Sequence, residues 1–453
     1  MNNYTHFSAR ASLAAIGLYM HQMEIWELVQ KHVHIKQKAI RHKPLDKLLD
    51  AFINILAGGH GLVEINTRVR PDYSLQRAFG RETCAEQSLV SDTLNACTVE
   101  TVGQMRQALQ EIYHRHGQGY RHKYEKSLQV LDVDISGMPA GRQGEGVTKG
   151  YFSGQRGRRG RQLGRVYATL YDEIVVEQLY SGKMQLERSL QALVTASEEV
   201  LCLKKSRRQS TIVRVDGGGG RDADINWLLN RDYFIIVKVK NWKRSVKLAR
   251  SVVTWHSDPK VPGREVGWVM EPHAYDRPTR QLVIRKRKKN GQWQYRVLVF
   301  NLTDQMLFWI ADLPRPDTPM TTDILFAAIR AYDLRGGGVE TSFKGSKQGL
   351  GLTKRNKRRF AAQEMLVLLA QLAYNLITWT RNRLAHHTSS LRQFGVLRMV
   401  RDVFHISGSI TFNDEGCILQ ITLNQAHCLA LSIQRALLPY LARDGTLLNL
   451  GQI

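Results

Sequence analysis

The sequence predicts an α/β fold: a mixed sheet flanked by helices, interrupted by a β-rich insertion and preceded by a helical N-terminal region. Three observations carry this. Apolar residues before residue 127 recur at helical spacing. From Gln129 the spacing changes to strict alternation, followed by further strand-like runs punctuated by two helical ones. Between Lys240 and Asp323 the chain reads as extended again before helical patterning resumes.

In chain order, residues 1–126 form the helical N-terminal region. Leu48, Leu49, Phe52, Ile53 and Ile55 share an apolar face, and Gly58-Gly59 breaks the run. Ser88 to His114 fits short helices, either a small DNA-end-binding unit or a helical cap on the α/β core. Residues 127–239 open that core. Val130, Asp132, Asp134 and Ser136 point to one side of a strand and Leu131, Val133 and Ile135 to the other, which puts two carboxylates on one face. A basic glycine-rich turn from Gly154 to Gly160 leads to strands over Arg165 to Tyr171 and Glu173 to Tyr180. A helix over Met184 to Leu203, a strand from Thr211 to Val215 ending at Asp216, a helix over Asp222 to Asn230 and a strand from Phe234 to Val239 complete the series. The order β-β-β-α-β-α-β is that of the RNase H-like fold, in which the first and fourth strands lie side by side.

Residues 240–323 read as the β-rich insertion, with runs Gln281 to Arg285 and Gln292 to Asn301 around the turn signal Lys289-Asn290-Gly291. Residues 324–385 return to the core as helices, including one that carries Glu340. Residues 386–453 form a hairpin around Asn413 to Gly416 and a closing helix over Ala426 to Ala442.

Composition bounds the function. At 453 residues the chain exceeds the size at which one core stops growing, so several units are expected. Hydrophobic residues at 43% are those of a folded protein. Lys and Arg outnumber Asp and Glu 65 to 40, a formal charge of +25, and such a surface attracts polyanions. Membrane is not expected among them: the most apolar stretch, Met365 to Trp379, is broken by Gln371, Tyr374 and Asn375 and reads as a core helix. The N-terminus lacks the pattern of a secretion signal, which implies the cytosol or nucleoid. Cys84, Cys97, Cys202, Cys417 and Cys428 never occur as CxxC, so buried thiols are expected in place of a disulfide framework or zinc site.

Within so basic a chain an acidic cluster is informative. Phosphodiester hydrolysis or transfer is served by two Mg²⁺ ions that stabilise the entering and leaving oxygens, and such ions take carboxylate ligands. Asp134 in the first strand, Asp216 at the end of the fourth and Glu340 on a later helix are the candidates, with Asp132 as the fallback for Asp134. The four glycines after Asp216 lack the Gly-Lys-Ser/Thr of a nucleotide cradle. Glu340, Lys344 and Lys347 at i, i+4 and i+7 share one face of the expected helix.

The stretch Tyr332-Asp-Leu-Arg335-Gly-Gly-Gly-Val-Glu340-Thr-Ser-Phe-Lys-Gly-Ser-Lys347 resembles the Y-x2-R-x3-E-x6-K signature of DDE transposases of prokaryotic insertion sequences. Four residues stand between Arg335 and Glu340 where the signature has three, and the glycine run absorbs the extra one as a turn. The resemblance extends over about residues 128–385, including Leu131-Asp-Val-Asp-Ile-Ser136 and Val213-Arg-Val-Asp216. It implies a transposase that cuts element ends and joins the freed 3′-OH to target DNA. Asp134, Asp216 and Glu340 would be the catalytic residues and ligands of two Mg²⁺ (or Mn²⁺) ions, Arg335 and Lys347 would contact backbone phosphates near the cleaved end, and Tyr332 would help position it; Lys344 is a further expected DNA contact from the shared helix face alone. Partners would be double-stranded element ends and target DNA, with self-association on DNA. A nuclease of the same fold without strand transfer, or a decayed DNA-binding relative, are the alternatives.

Basic runs at Arg156 to Arg165, Lys204 to Arg208, Lys238 to Arg250, Arg285 to Lys289 and Lys354 to Arg359 are expected phosphate contacts or solvated faces. Trp242, Trp268 and Trp293 are expected either to pack in the core or to stack on an extruded base.

Overall fold

The computed structural model describes residues 3–38, 41–152, 155 and 157–452. Gly154 and Arg156, at the start of the basic glycine-rich turn, lie outside the described residues. The chain forms two compact units: residues 1–117, 139–147 and 343–453, and residues 118–138 and 148–342.

The second unit is built on one mixed sheet. The strand Gln129–Pro139 lies between Arg159–Ala168 and Thr211–Val215, with Glu173–Ser181 beyond the former and Phe234–Lys238 beyond the latter. The first and fourth strands are therefore neighbours, as the element order led one to expect, and they run parallel. The β-rich insertion does not stand apart from this sheet. Trp293–Phe300 pairs antiparallel with Phe234–Lys238, then Arg280–Arg287 and Arg264–Trp268 follow. It extends the sheet because an unpaired edge strand left beside residues 234–238 would expose its backbone donors and acceptors. Val130, Ile212, Ile236, Leu298 and Leu282, all buried, form a continuous apolar layer across both parts of the sheet. Against it pack the helices Asp304–Ala311 and Thr321–Asp333 through Leu307, Phe308, Leu325 and Ile329.

The first unit centres on the helix Phe360–Leu384, which contacts Pro44–Leu56, Gln87–Ala96 and Val99–His116. It is longer than its apolar stretch suggests. By length and apolarity alone it is able to cross a membrane, but 83% of its most apolar window is buried in protein. A four-stranded sheet accompanies it, in which Tyr4–Ser8 pairs with Gly408–Phe412, next to Ile418–Asn424 and Leu447–Gly451. The N-terminal region is thus not wholly helical, and it shares a sheet with the C-terminal hairpin. The expectation of buried thiols fails at three positions: Cys84 and Cys97 are buried, whereas Cys202, Cys417 and Cys428 are exposed.

Candidate functional site

Strand register brings two of the expected carboxylates together. Gln129–Pro139 and Thr211–Val215 pair in parallel with Asp132 beside Arg214 and Val133 beside Val215. The next residues are Asp134, midway along its longer strand, and Asp216, just past the end of Thr211–Val215, so the two stand side by side on adjoining strands, which run ~4.8 Å apart. Both line one cleft of about 290 Å³, with Ile135, Met184, Leu186 and Lys240 among its walls. Asp216 Oδ1 accepts from the Gly218 amide at 2.8 Å, and Asp134 Oδ1 from the Ile135 amide at 2.8 Å. The glycine run after Asp216 serves close approach: a Cβ on Gly220 would stand 1.9 Å from the Lys238 carbonyl oxygen.

Asp132, the fallback, is placed differently. It is 0% exposed and holds Arg214 through both oxygens, Nε to Oδ1 at 2.7 Å and Nη2 to Oδ2 at 2.9 Å. Thr169 Oγ1 donates to the same Oδ2 at 2.7 Å, while Arg214 Nη1 reaches the Ala331 carbonyl at 2.7 Å. The pair thus ties the two strands to the helix that carries Tyr332. A lone arginine in the otherwise apolar strand Thr-Ile-Val-Arg-Val was the signal for this partner.

Glu340 is linked to Asp134 through Arg335. The Arg335 guanidinium is 3% exposed and bridges two carboxylates: Nη2 lies 2.9 Å from Asp134 Oδ2 and Nη1 lies 3.1 Å from Glu340 Oε1. Nη2 also donates to the Val133 carbonyl at 3.3 Å. Burial works against this charge, but Asp134, Asp132, Tyr332 and Asp216 more than offset it and raise the pKa. Burial likewise pushes the Asp134 carboxyl up, Arg335 opposes the rise, Asp216 adds to it, and the group reaches about 6. Tyr332 is buried beside all of these. Burial raises its phenol pKa, Arg335 lowers it, and the negative charges of Asp216, Glu340 and Asp134 raise it further.

Lys238, which sequence reasoning noticed only within a basic run, holds its ammonium 4.6 Å from the Tyr332 ring centroid. Burial lowers its pKa against the pull of Asp216. Asp134, Asp216, Tyr332, Arg335 and Glu340 are therefore gathered in the second unit. Lys344 and Lys347 belong to the first. The α-helix Val339–Lys344 ends before Lys347, which stands on the π-helical turn Gly345–Gly349 with its ammonium 5.9 Å from the Phe343 ring. The wider π turn breaks the i, i+4, i+7 spacing expected of one continuous α-helix.

The remaining expectations divide. Trp242 is 63% exposed. Trp268 lies 6.1 Å from Phe300 and donates to the Thr321 carbonyl at 3.2 Å, and Trp293 stacks under Arg285 at 4.4 Å. Several cations of the basic runs are buried or paired: Arg161, Arg165 and Arg355 are buried, Arg244 pairs with Asp222, and Lys240, exposed, pairs with Glu187. Lys286, Arg287, Lys288 and Lys289 remain exposed at the end of the insertion hairpin.

Among the described residues no three carboxylate, imidazole or thiol groups stand close enough to hold one ion. The donor chemistry nonetheless suits a hard divalent cation. Two carboxylates face one cleft, where the Asp216 charge raises the cost of ionising Asp134, and a third is tied to Asp134 through a bridging guanidinium.

The sequence matches the family described as transposase DDE domain group 1 over residues 5–442, almost its whole length. The chain belongs to this DDE transposase family. No curated protein matches it. Among solved structures it is similar to one described as a cryo-EM structure of the piggyBac transposase synaptic complex with hairpin DNA. The TM-score is 0.47 at 12% identity, covering 85% of this chain and 79% of that one.

Proposed function

We propose that the chain is a metal-dependent DNA transposase that cuts the ends of a mobile element and transfers the freed 3′-OH into target DNA. Asp134, Asp216 and Glu340 are its catalytic residues and metal ligands. The observation that carries this reading is the register that sets Asp134 and Asp216 side by side, with Glu340 drawn to Asp134 through Arg335. Asp134, Asp216 and Glu340 would hold two Mg²⁺ or Mn²⁺ ions, which would supply charge stabilisation for the entering and leaving oxygens, with water and a 3′-OH as successive nucleophiles. Arg335 holds Asp134 and Glu340 in the metal-free protein and keeps a positive charge beside the reacting phosphate afterwards. Tyr332 and Lys238 wall the carboxylate cluster, and Lys240 supplies a cation at the cleft for the DNA backbone. Lys344 and Lys347 are proposed DNA contacts, and the protein is proposed to act as a self-associated assembly in the prokaryotic nucleoid.

The test uses supercoiled plasmid carrying candidate element ends, with Mg²⁺ or Mn²⁺. Wild type is expected to give cut and joined products, and Asp216→Asn neither. Cut but never joined products favour a nuclease, and equal activity of wild type and Asp216→Asn rejects the site.

A further inference from the structure

The Glu340 helix is only six residues long, Val339–Lys344, and the glycine run precedes it, so its own hydrogen bonds do little to fix its direction. Yet Glu340 is 60% exposed, and a ligand side chain in the open needs a firm base. That base lies in the sheet. Arg165 and Glu177 are direct cross-strand partners on Arg159–Ala168 and Glu173–Ser181. They are 0% and 1% exposed, and Arg165 Nε donates to Glu177 Oε1 at 2.8 Å, with Nη2 on the same oxygen. Arg165 Nη1 then donates to Ser342 Oγ at 2.7 Å, and Ser342 Oγ donates to the Val339 carbonyl at 2.7 Å. The buried charge pair thus grips the helix at Ser342, two residues past Glu340, and Ser342 in turn closes on the Val339 carbonyl just before it.

A buried ion pair is a poor source of stability, since apolar residues of like volume often do as well, but it fixes geometry sharply. We propose that Arg165 and Glu177, acting through Ser342, are positioning residues that set where the Glu340 carboxylate stands for metal binding. This rests on the proposed metal site. Groups behind metal ligands typically govern affinity by about 10–100-fold.

The test measures Mn²⁺ affinity of the full chain by electron paramagnetic resonance, alongside thermal melting. Ser342→Ala, and separately the Arg165→Met/Glu177→Leu pair, are expected to weaken Mn²⁺ binding about 10–100-fold while melting shifts little. In a Glu340→Gln background Ser342→Ala is expected to add nothing, because its effect passes through Glu340. Unchanged Mn²⁺ affinity in Ser342→Ala, or a loss that adds fully to that of Glu340→Gln, overturns the proposal. If Asp216→Asn binds Mn²⁺ as wild type does, the metal site itself is rejected and the positioning role with it.

Discussion

Asp134 titrates against its surroundings. Burial pushes its carboxyl up, Arg335 resists, Asp216 reinforces the rise, and half-protonation falls at about pH 6. A carboxyl whose folded pKa is raised contributes stability that is complete below its unfolded pKa and is lost as pH rises through the folded one. The metal-free protein is therefore expected to melt at a lower temperature at pH 7 than at pH 5, and Asp134→Asn to lessen that drop. The proposed metal binding runs the other way, because a carboxylate ligand must ionise. Mn²⁺ affinity is expected to climb as pH is raised through about 6 and then level off. Two residues away, Asp132 answers to a different partner. Removing Arg214 from it leaves a buried charge unpaired, and Arg214→Met is expected to cost about 3–5 kcal/mol in denaturant unfolding. Alternation in the sequence put both aspartates on one face, and the family pattern of an aspartate two before a serine, here Ser136, favoured Asp134. The bridging place of Arg335 was not legible, because it depends on a turn folding back onto a strand 200 residues earlier.

At the scale of elements, the glycine run before Glu340 holds a defined course. Leu334–Gly336 is a 3₁₀ turn, and a Cβ on Gly338 would stand 2.6 Å from Asp132 Oδ2, whereas one on Gly336 would meet nothing within 4 Å. Gly338→Ala is therefore expected to destabilise by about 1–3 kcal/mol and to weaken Mn²⁺ binding. Gly336→Ala is expected to be neutral or stabilising by up to about 1 kcal/mol in the same unfolding measurement. Local patterning made most of this unit's elements legible: the helix Asp222–Asn230 and the strands Gln129–Pro139 and Thr211–Val215 follow from period and turn residues alone. The π turn at Lys347 was not legible, since nothing in Gly-Ser-Lys-Gln-Gly distinguishes a π turn from an α turn.

Across the whole molecule, what the sequence concealed was long-range pairing. Local periodicity recognises the strand Trp293–Phe300, but its partner Phe234–Lys238 lies some sixty residues earlier, and Tyr4–Ser8 joins a strand some four hundred residues away. Charge, by contrast, was legible at once, though burial removes Arg161, Arg165 and Arg355 from the attracting surface. The exposed Lys286, Arg287, Lys288 and Lys289 are expected to carry part of the nonspecific DNA affinity. Replacing all four by serine is expected to reduce the slope of log affinity against log salt by up to about 4, measured by fluorescence anisotropy on duplex DNA.

The convergence of Asp134, Asp216 and Glu340 on one metal site is most directly tested by binding Fe²⁺ in place of Mg²⁺ and generating hydroxyl radicals with ascorbate and peroxide, which cut the backbone beside the ion. Three sets of fragments are expected, with ends near residues 134, 216 and 340, all suppressed by excess Mg²⁺ and absent in Asp216→Asn. Cuts near 134 and 216 without one near 340, or a pattern indifferent to Asp216→Asn, would contradict it.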